Sequence, residues 1–290
     1  MFEIVSQQKQ YLTYSLTDTV AQSEIDVVPE RGGIILGWRI GGKDIFYLDT
    51  ERFANPELSI RGGNPILFPI CGNLPDNVYR HNNKEYALKQ HGFARNLPWE
   101  VAEEETNSDR AAITLALHSN DETLAAFPFQ FQVSFTYQLA GNSIEIIQRY
   151  TNTGSEPMPF STGFHPYFLV TDKAQLQFQI PSSEYWDQKN HTTHSFTGSF
   201  DFELDEIDVA FGDLTAQSAR VIDPSRQLEL ILEYDDAYSY LVFWTLKGKD
   251  YYCLEPWSAP RNALNSGKNL MVLAPGETRE STVRYAAKFF

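Results

Sequence analysis

The sequence predicts an all-β sandwich, and three observations carry that prediction. Phe129 to Leu139 alternates apolar and polar residues without a break. A period of two sets one face on a core and the other in water. Short apolar runs of strand length recur between turn signals along the whole chain. No stretch of about 12 residues carries the 3.6-residue apolar period of a helix.

In chain order, Ile113–Leu117 reads as a strand ending near His118. Asn120-Asp121 caps a short helix through Glu122–Ala126, which Pro128 stops. Phe129–Leu139 and Ile144–Tyr150 form a hairpin across Ala140-Gly141-Asn142-Ser143, where Gly and Asn tolerate positive φ. Asn152-Thr153-Gly154 is the next turn. Further strands are expected at Leu176–Ile180, Leu228–Tyr234 and Tyr240–Leu246. Asn55–Asn83 and Trp257–Lys268 are the longest irregular stretches, and long loops on a rigid β scaffold are where sites sit.

The 290 residues suit one domain, 1–290, because all-β units often exceed about 200 residues and no linker or repeat divides the chain. The net charge of −15 excludes a polyanionic partner. A nucleic-acid backbone is bound by counterion release to Lys and Arg, and no basic stripe is present. An anionic membrane surface is excluded on the same ground. A small-molecule partner remains, with the chain a monomer or homodimer. Cys71 and Cys253 are too few for a disulfide framework or a cysteine zinc site. The N-terminus shows no signal sequence and no run of about 18 apolar residues occurs, so a cytoplasmic protein is expected.

Six histidines are present. His81, His118, His191 and His194 lie in polar turns or strand ends and read as solvated. His191 and His194 have the spacing of a metal pair but no third ligand nearby, so no metal is expected. His91, opening HGFARNLPW, and His165, inside STGFHPYF, are different. Aromatics and glycines surround both, which suits a cleft; the alternative is a core histidine bonded to a backbone carbonyl. Glu255 ends the apolar run Tyr251–Leu254, where a buried carboxylate needs a partner or a task. Desolvation there would raise its pKa towards that of a general base. An ion pair with Arg261 is the alternative. Ser161-Thr162-Gly163 and Ser258 lack a nucleophile-elbow setting, and Arg61-Gly62-Gly63-Asn64-Pro65 is neither a P-loop nor a dinucleotide fingerprint.

Taken in order, RGGI (31–34), RGGNPILFPICGN (61–73), KEYALKQHGFARNLPW (84–99), NTGSEPMPFSTGFHPYF (152–168), EIDVAF (206–211), CLEPWSAPRNALN (253–265) and LMVLAPGETRESTVRY (270–285) resemble the aldose 1-epimerase, or galactose mutarotase-like, superfamily. The versions around Arg61 and His91 are similar to the branch that includes hexose-6-phosphate mutarotases. The resemblance implies a large antiparallel β-supersandwich with the sugar on its concave face. It implies interconversion of aldohexose anomers without cofactor or metal. Carried over by motif, Glu255 is the general base, His165 the general acid, and His91 a hydrogen-bonding stabiliser. Arg95 and Asp208 match polar sugar contacts. Asn73 matches the asparagine of an Asn-Arg pair whose arginine is Leu74 here, so Arg61 or Arg95 is expected to substitute. Trp99, Tyr167 and Trp257 would offer stacking surface to a sugar, with core packing the alternative for each. Two other functions are compatible with the same resemblance: a glucose-6-phosphate 1-epimerase, and a non-catalytic sugar-binding protein.

Overall fold

The computed structural model describes residues 1–290, and its strand ladders are antiparallel. The expected hairpin forms with strands Phe131–Ala140 and Ser143–Asn152, registered from Phe131 opposite Asn152 to Ala140 opposite Ser143. Its alternation is real: Phe131, Val133, Phe135, Tyr137 and Leu139 are buried, and the residues between them are not. This hairpin is central in an eight-stranded sheet that runs from Gln177–Gln179 at one edge to Glu100–Thr106 at the other. A second eight-stranded sheet packs against it and holds Glu206–Phe211, Tyr240–Leu246 and Tyr251–Trp257. One core cluster of 58 buried residues reaches from Leu16 to Ala287.

The strand Tyr251–Trp257 is buried at every position. Tyr252 and Leu254 pack into the main core. Tyr251, Cys253, Glu255 and Trp257 alternate with them and point to the opposite, concave face. That strand has no polar alternation to read, because both of its faces are covered.

The expected helix is Asp121–Ala126. Asn120 Oδ1 accepts from Thr123 N at 2.9 Å, and the Thr123 hydroxyl accepts from Asn120 N at 2.8 Å, a capping box. A five-stranded sheet over Phe2–Asp44 and the long strand Thr278–Phe289 add to the elements the pattern predicts. The irregular segment Asn55–Asn83 is shorter than expected, since Ile66–Leu67 and Val78–His81 are strands. Arg31 ties that segment down by donating to the carbonyls of Asn55 (3.1 Å) and Leu58 (2.8 Å). No helix is long and apolar enough to cross a membrane.

Candidate active site

Three elements bring the acid–base residues together on the concave face. Ladder pairing sets Glu255 opposite Val242 and Gly163 opposite Trp257. The chain then leaves the short strand Gly163–Phe164, and His165 N donates to the Pro65 carbonyl at 3.0 Å. That anchor leaves His165 Nε2 3.4 Å from Glu255 Oε1. Glu255 Oε2 accepts from Trp257 Nε1 at 3.0 Å. The spacing of two residues along a strand puts the indole and the carboxylate on one face.

His91 arrives from a loop held in the left-handed region, with φ of 65°. Non-glycine residues there are uncommon, and such strain clusters at functional sites. Gly72 holds the histidine at both ends: His91 N donates to its carbonyl at 2.7 Å, and its N–H donates to His91 Nδ1 at 3.1 Å. With Nδ1 accepting, the proton of a neutral ring sits on Nε2. Gly92 follows because a Cβ there would lie 2.2 Å from the Phe68 carbonyl oxygen. The His91 and His165 rings are 5.5 Å apart. His91, His165 and Glu255 all line one cavity of about 420 Å³.

Burial dominates the electrostatics. Glu255 is 1% exposed, and desolvation pushes its carboxyl well above the usual range. The Trp257 hydrogen bond opposes that shift, and the nearby Asp208 reinforces it. Desolvation pulls His165 down to about 3, with Arg95 adding to it. His91 is lowered well below its ordinary value by the same burial, helped by Arg95 and His165. The site therefore departs from the simple picture of an ionised Glu255 beside a protonated His165. In the unliganded cavity burial favours the neutral pair, with the proton on the carboxyl group.

Of the other expected residues, Arg61, Arg95, Asp208 and Trp257 line this cavity. Asn73 does not. It sits behind Arg261, accepting from Nη1 at 3.3 Å. The arginine beside Asn73 is Arg261, while Arg61 and Arg95, the expected substitutes, both line the cavity. Arg261 also does not pair with Glu255; its Nη2 donates to Asp208 Oδ2 at 2.7 Å. Tyr167 stacks flat on His165, with centroids 4.8 Å apart. Of its two alternatives Trp99 takes core packing: its Nε1 donates to the Ala94 carbonyl at 3.0 Å.

Sequence reasoning missed Arg52, Glu206 and Trp244, which also line the cavity. Two of them carried a signal: Glu206 shares a strand face with Asp208, and Trp244 shares one with Val242. Arg52 comes from the short helix Thr50–Ala54 and had none.

His165, Cys253 and Glu255 place ligand atoms within 4.8 Å of one another. Sequence spacing could not foresee this set, since only His191 and His194 had metal-like spacing. Burial pushes the Cys253 thiol well up, and the negative charge of Glu255 adds to that shift. His191 and His194 are exposed, and His194 Nε2 bonds the Thr192 hydroxyl at 2.8 Å.

Residues 14–286 match the aldose 1-epimerase family. In solved structures, the chain is 46% identical to the Slr1438 protein of Synechocystis sp. PCC 6803, over the full length of both, with a TM-score of 0.95. It has the fold of a galactose mutarotase-like protein from Clostridium acetobutylicum, at TM-score 0.83 and 20% identity over 100% of this chain and 99% of that one. A Cenchrus ciliaris protein with the provisional name glucose-6-phosphate 1-epimerase is 27% identical over 193 residues, 62% of this chain and 55% of the relative.

Proposed function

The chain belongs to the aldose 1-epimerase family, and on that premise we propose that it interconverts the α and β anomers of an aldohexose. One observation carries the reading: Glu255 and His165 lie 3.4 Å apart on the wall of a sugar-sized cavity that His91 also lines. Glu255, as carboxylate, takes the proton of the C1 hydroxyl. His165, as imidazolium, gives a proton to the ring oxygen as the bond from C1 to that oxygen breaks. The products are the open-chain aldehyde, a protonated Glu255 and a neutral His165. Rotation about C1–C2 presents the other carbonyl face. Closure returns both protons, so nothing is consumed and no cofactor is needed.

Neutral His91 offers its Nε2–H to a sugar oxygen as charge develops, while Arg95, Asp208 and Arg261 meet hydroxyls. Positioned acid and base groups each contribute roughly 100- to 10,000-fold. One catalytic unit spanning 1–290 suits the main core cluster, whose 58 residues reach from Leu16 to Ala287.

A phosphorylated hexose is the second reading. Arg52, Arg61 and Arg95 line the cavity without a carboxylate partner, and the Cenchrus ciliaris relative carries the corresponding name. Polarimetry of fresh α-glucose and α-glucose 6-phosphate separates the two readings. Anomerisation above the buffer rate with either sugar supports catalysis, and the ratio of kcat/KM assigns the substrate. A folded protein that accelerates neither, yet binds one, would be a sugar-binding protein instead.

A further inference from the structure

Cys253 takes no part in the anomerisation drawn above, yet it shares the concave face with the pair that does. Register puts it there. Gly163 lies opposite Trp257 and Tyr167 opposite Cys253, so His165, midway between them, falls opposite Glu255. Cys253 and Glu255 are two residues apart on one strand and point the same way. The three side chains thus offer an imidazole, a thiol and a carboxylate whose ligand atoms all lie within 4.8 Å of one another.

Span, orientation and charge all suit a metal ion. Tetrahedral zinc, with bonds of about 2.0–2.1 Å to nitrogen and oxygen, sets two such ligands about 3.4 Å apart. His165 Nε2 stands 3.4 Å from Glu255 Oε1. A zinc–sulfur bond of about 2.3 Å places the sulfur about 3.6 Å from each of them, so Cys253 Sγ has at most about 1.2 Å to close. Tyr167, stacked on His165, holds the ring plane, and Trp257 Nε1 engages Glu255 Oε2 and leaves Oε1 free. Outer partners of this kind orient metal ligands. One thiolate and one carboxylate cancel the charge of a divalent cation, so the buried complex carries no net charge. The adjoining cavity supplies the fourth position, for water. Arg52, Arg61 and Arg95 line that cavity and repel a cation held by Glu255 alone. The thiolate therefore selects the ion, favouring zinc over magnesium or calcium.

We propose that His165, Cys253 and Glu255 form an inhibitory site for zinc and other thiophilic divalent cations. Binding forms three metal–ligand bonds and releases two protons to solvent, one from Cys253 Sγ and one from the pair of His165 and Glu255. Nothing is oxidised or reduced. The ion occupies the lone pairs that the acid and the base need, so a loaded molecule turns over no sugar. The site stands on its geometry, and only the inhibition rests on the mutarotase reading.

Cobalt(II) in place of zinc reports its ligands, because a thiolate gives a sulfur-to-cobalt charge-transfer band in the near ultraviolet. Reduced wild-type protein should develop that band up to one equivalent and lose it to zinc. Zinc should also stop the anomerisation of glucose and glucose 6-phosphate until a chelator is added. Cys253→Ser and Cys253→Ala should lack the band and bind zinc at least about 10- to 100-fold more weakly, with metal-free turnover within about twofold of wild type. Alanine buries no hydroxyl and covers a serine variant that fails to fold. A wild type without the band, zinc affinity unchanged in a folded variant, or full turnover by zinc-loaded protein would overturn the proposal. A wild type that shows the band but anomerises neither sugar without metal would overturn the mutarotase reading and leave the metal site standing.

Discussion

Glu255→Gln separates the chemistry of the site from its packing. The amide oxygen keeps the 3.0 Å hydrogen bond from Trp257 Nε1. The amide nitrogen then faces His165 Nε2 across the former 3.4 Å contact, and the imidazole must present a lone pair there. That is the tautomer the neutral pair already has, with the ring hydrogen on Nδ1, so no hydrogen bond is broken. No cavity opens and no charge is stranded, so the loss is catalytic. Removing the base should lower kcat about 100- to 10,000-fold, which is about 2.7–5.4 kcal/mol of barrier.

Stability should move the other way. The folded pKa of Glu255 lies above its unfolded value. Its contribution is therefore fully present below the unfolded pKa and fades as pH rises through the folded one. Glutamine does not titrate. The melting temperature of the variant, minus that of wild type, should be flat in acid and grow as pH climbs past the ordinary carboxylate value. Polarimetry with the uncatalysed rate subtracted, and melting curves at several pH values, read both effects. Turnover within tenfold of wild type, or a variant that loses ground with rising pH, would refute the assignment.

Wild-type kcat/KM should hold across neutral pH: its acid limb lies towards about 3, where His165 gains a second proton, and its alkaline limb lies where the pair loses its only one. Asp208→Asn should move the alkaline limb to lower pH, because the negative charge that raises the Glu255 pKa is gone and Arg261 is released from it; an unmoved limb counts against the coupling. His91→Ala strands the buried Gly72 N–H and should cost about 1–3 kcal/mol in urea denaturation, along with turnover; an unchanged midpoint would contradict the anchoring role. Gly32→Ala sets a Cβ 2.1 Å from the Arg95 carbonyl oxygen at φ of 79°, and should lower the melting temperature by at least about 2–4 °C and raise KM; a wild-type KM would free Arg95 of a substrate contact.

What the sequence made legible follows from how much of each residue's environment is local. The hairpin of Phe131–Ala140 and Ser143–Asn152 was readable because one face meets water, so alternation survives in the text. The helix at Asp121–Ala126 was readable because its cap lies within three residues. The strand that carries Glu255 was not, since a strand covered on both faces reads as an unbroken apolar run. His91, His165 and Glu255 stood out because polar groups in apolar, glycine-rich contexts are locally anomalous. The partner of Arg261 was not legible. Whether its guanidinium meets Glu255 or Asp208 depends on the register of Glu206–Phe211 against Tyr240–Leu246. Trp99 misled for the converse reason: a tryptophan in a motif reads alike whether its indole faces a cavity or, as here, the Ala94 carbonyl in the core.

The buried pair raises an apparent conflict that counting protons resolves. Mutarotation needs a carboxylate and an imidazolium, whereas burial favours a carboxylic acid and a neutral imidazole. Both descriptions contain one proton between the same two groups. They are tautomers, related by a transfer along the 3.4 Å contact, so pH does not choose between them. The surroundings do. Tyr167 stacks its face on His165 and favours the imidazolium. Trp257 Nε1 favours the carboxylate. Arg52, Arg61 and Arg95 line the cavity with no carboxylate partner, while Asp208 and Glu206 are already engaged by Arg261 and Lys189. A chain with net charge −15 therefore keeps a locally cationic cavity, and its distant acidic surface is screened beyond about 10 Å. A sugar that binds brings its C1 hydroxyl to Glu255 and its ring oxygen to His165, and hydrogen bonds to the charged forms favour the charged tautomer. On the mutarotase reading, contacts from the substrate thus complete the reactive charge distribution of the pair.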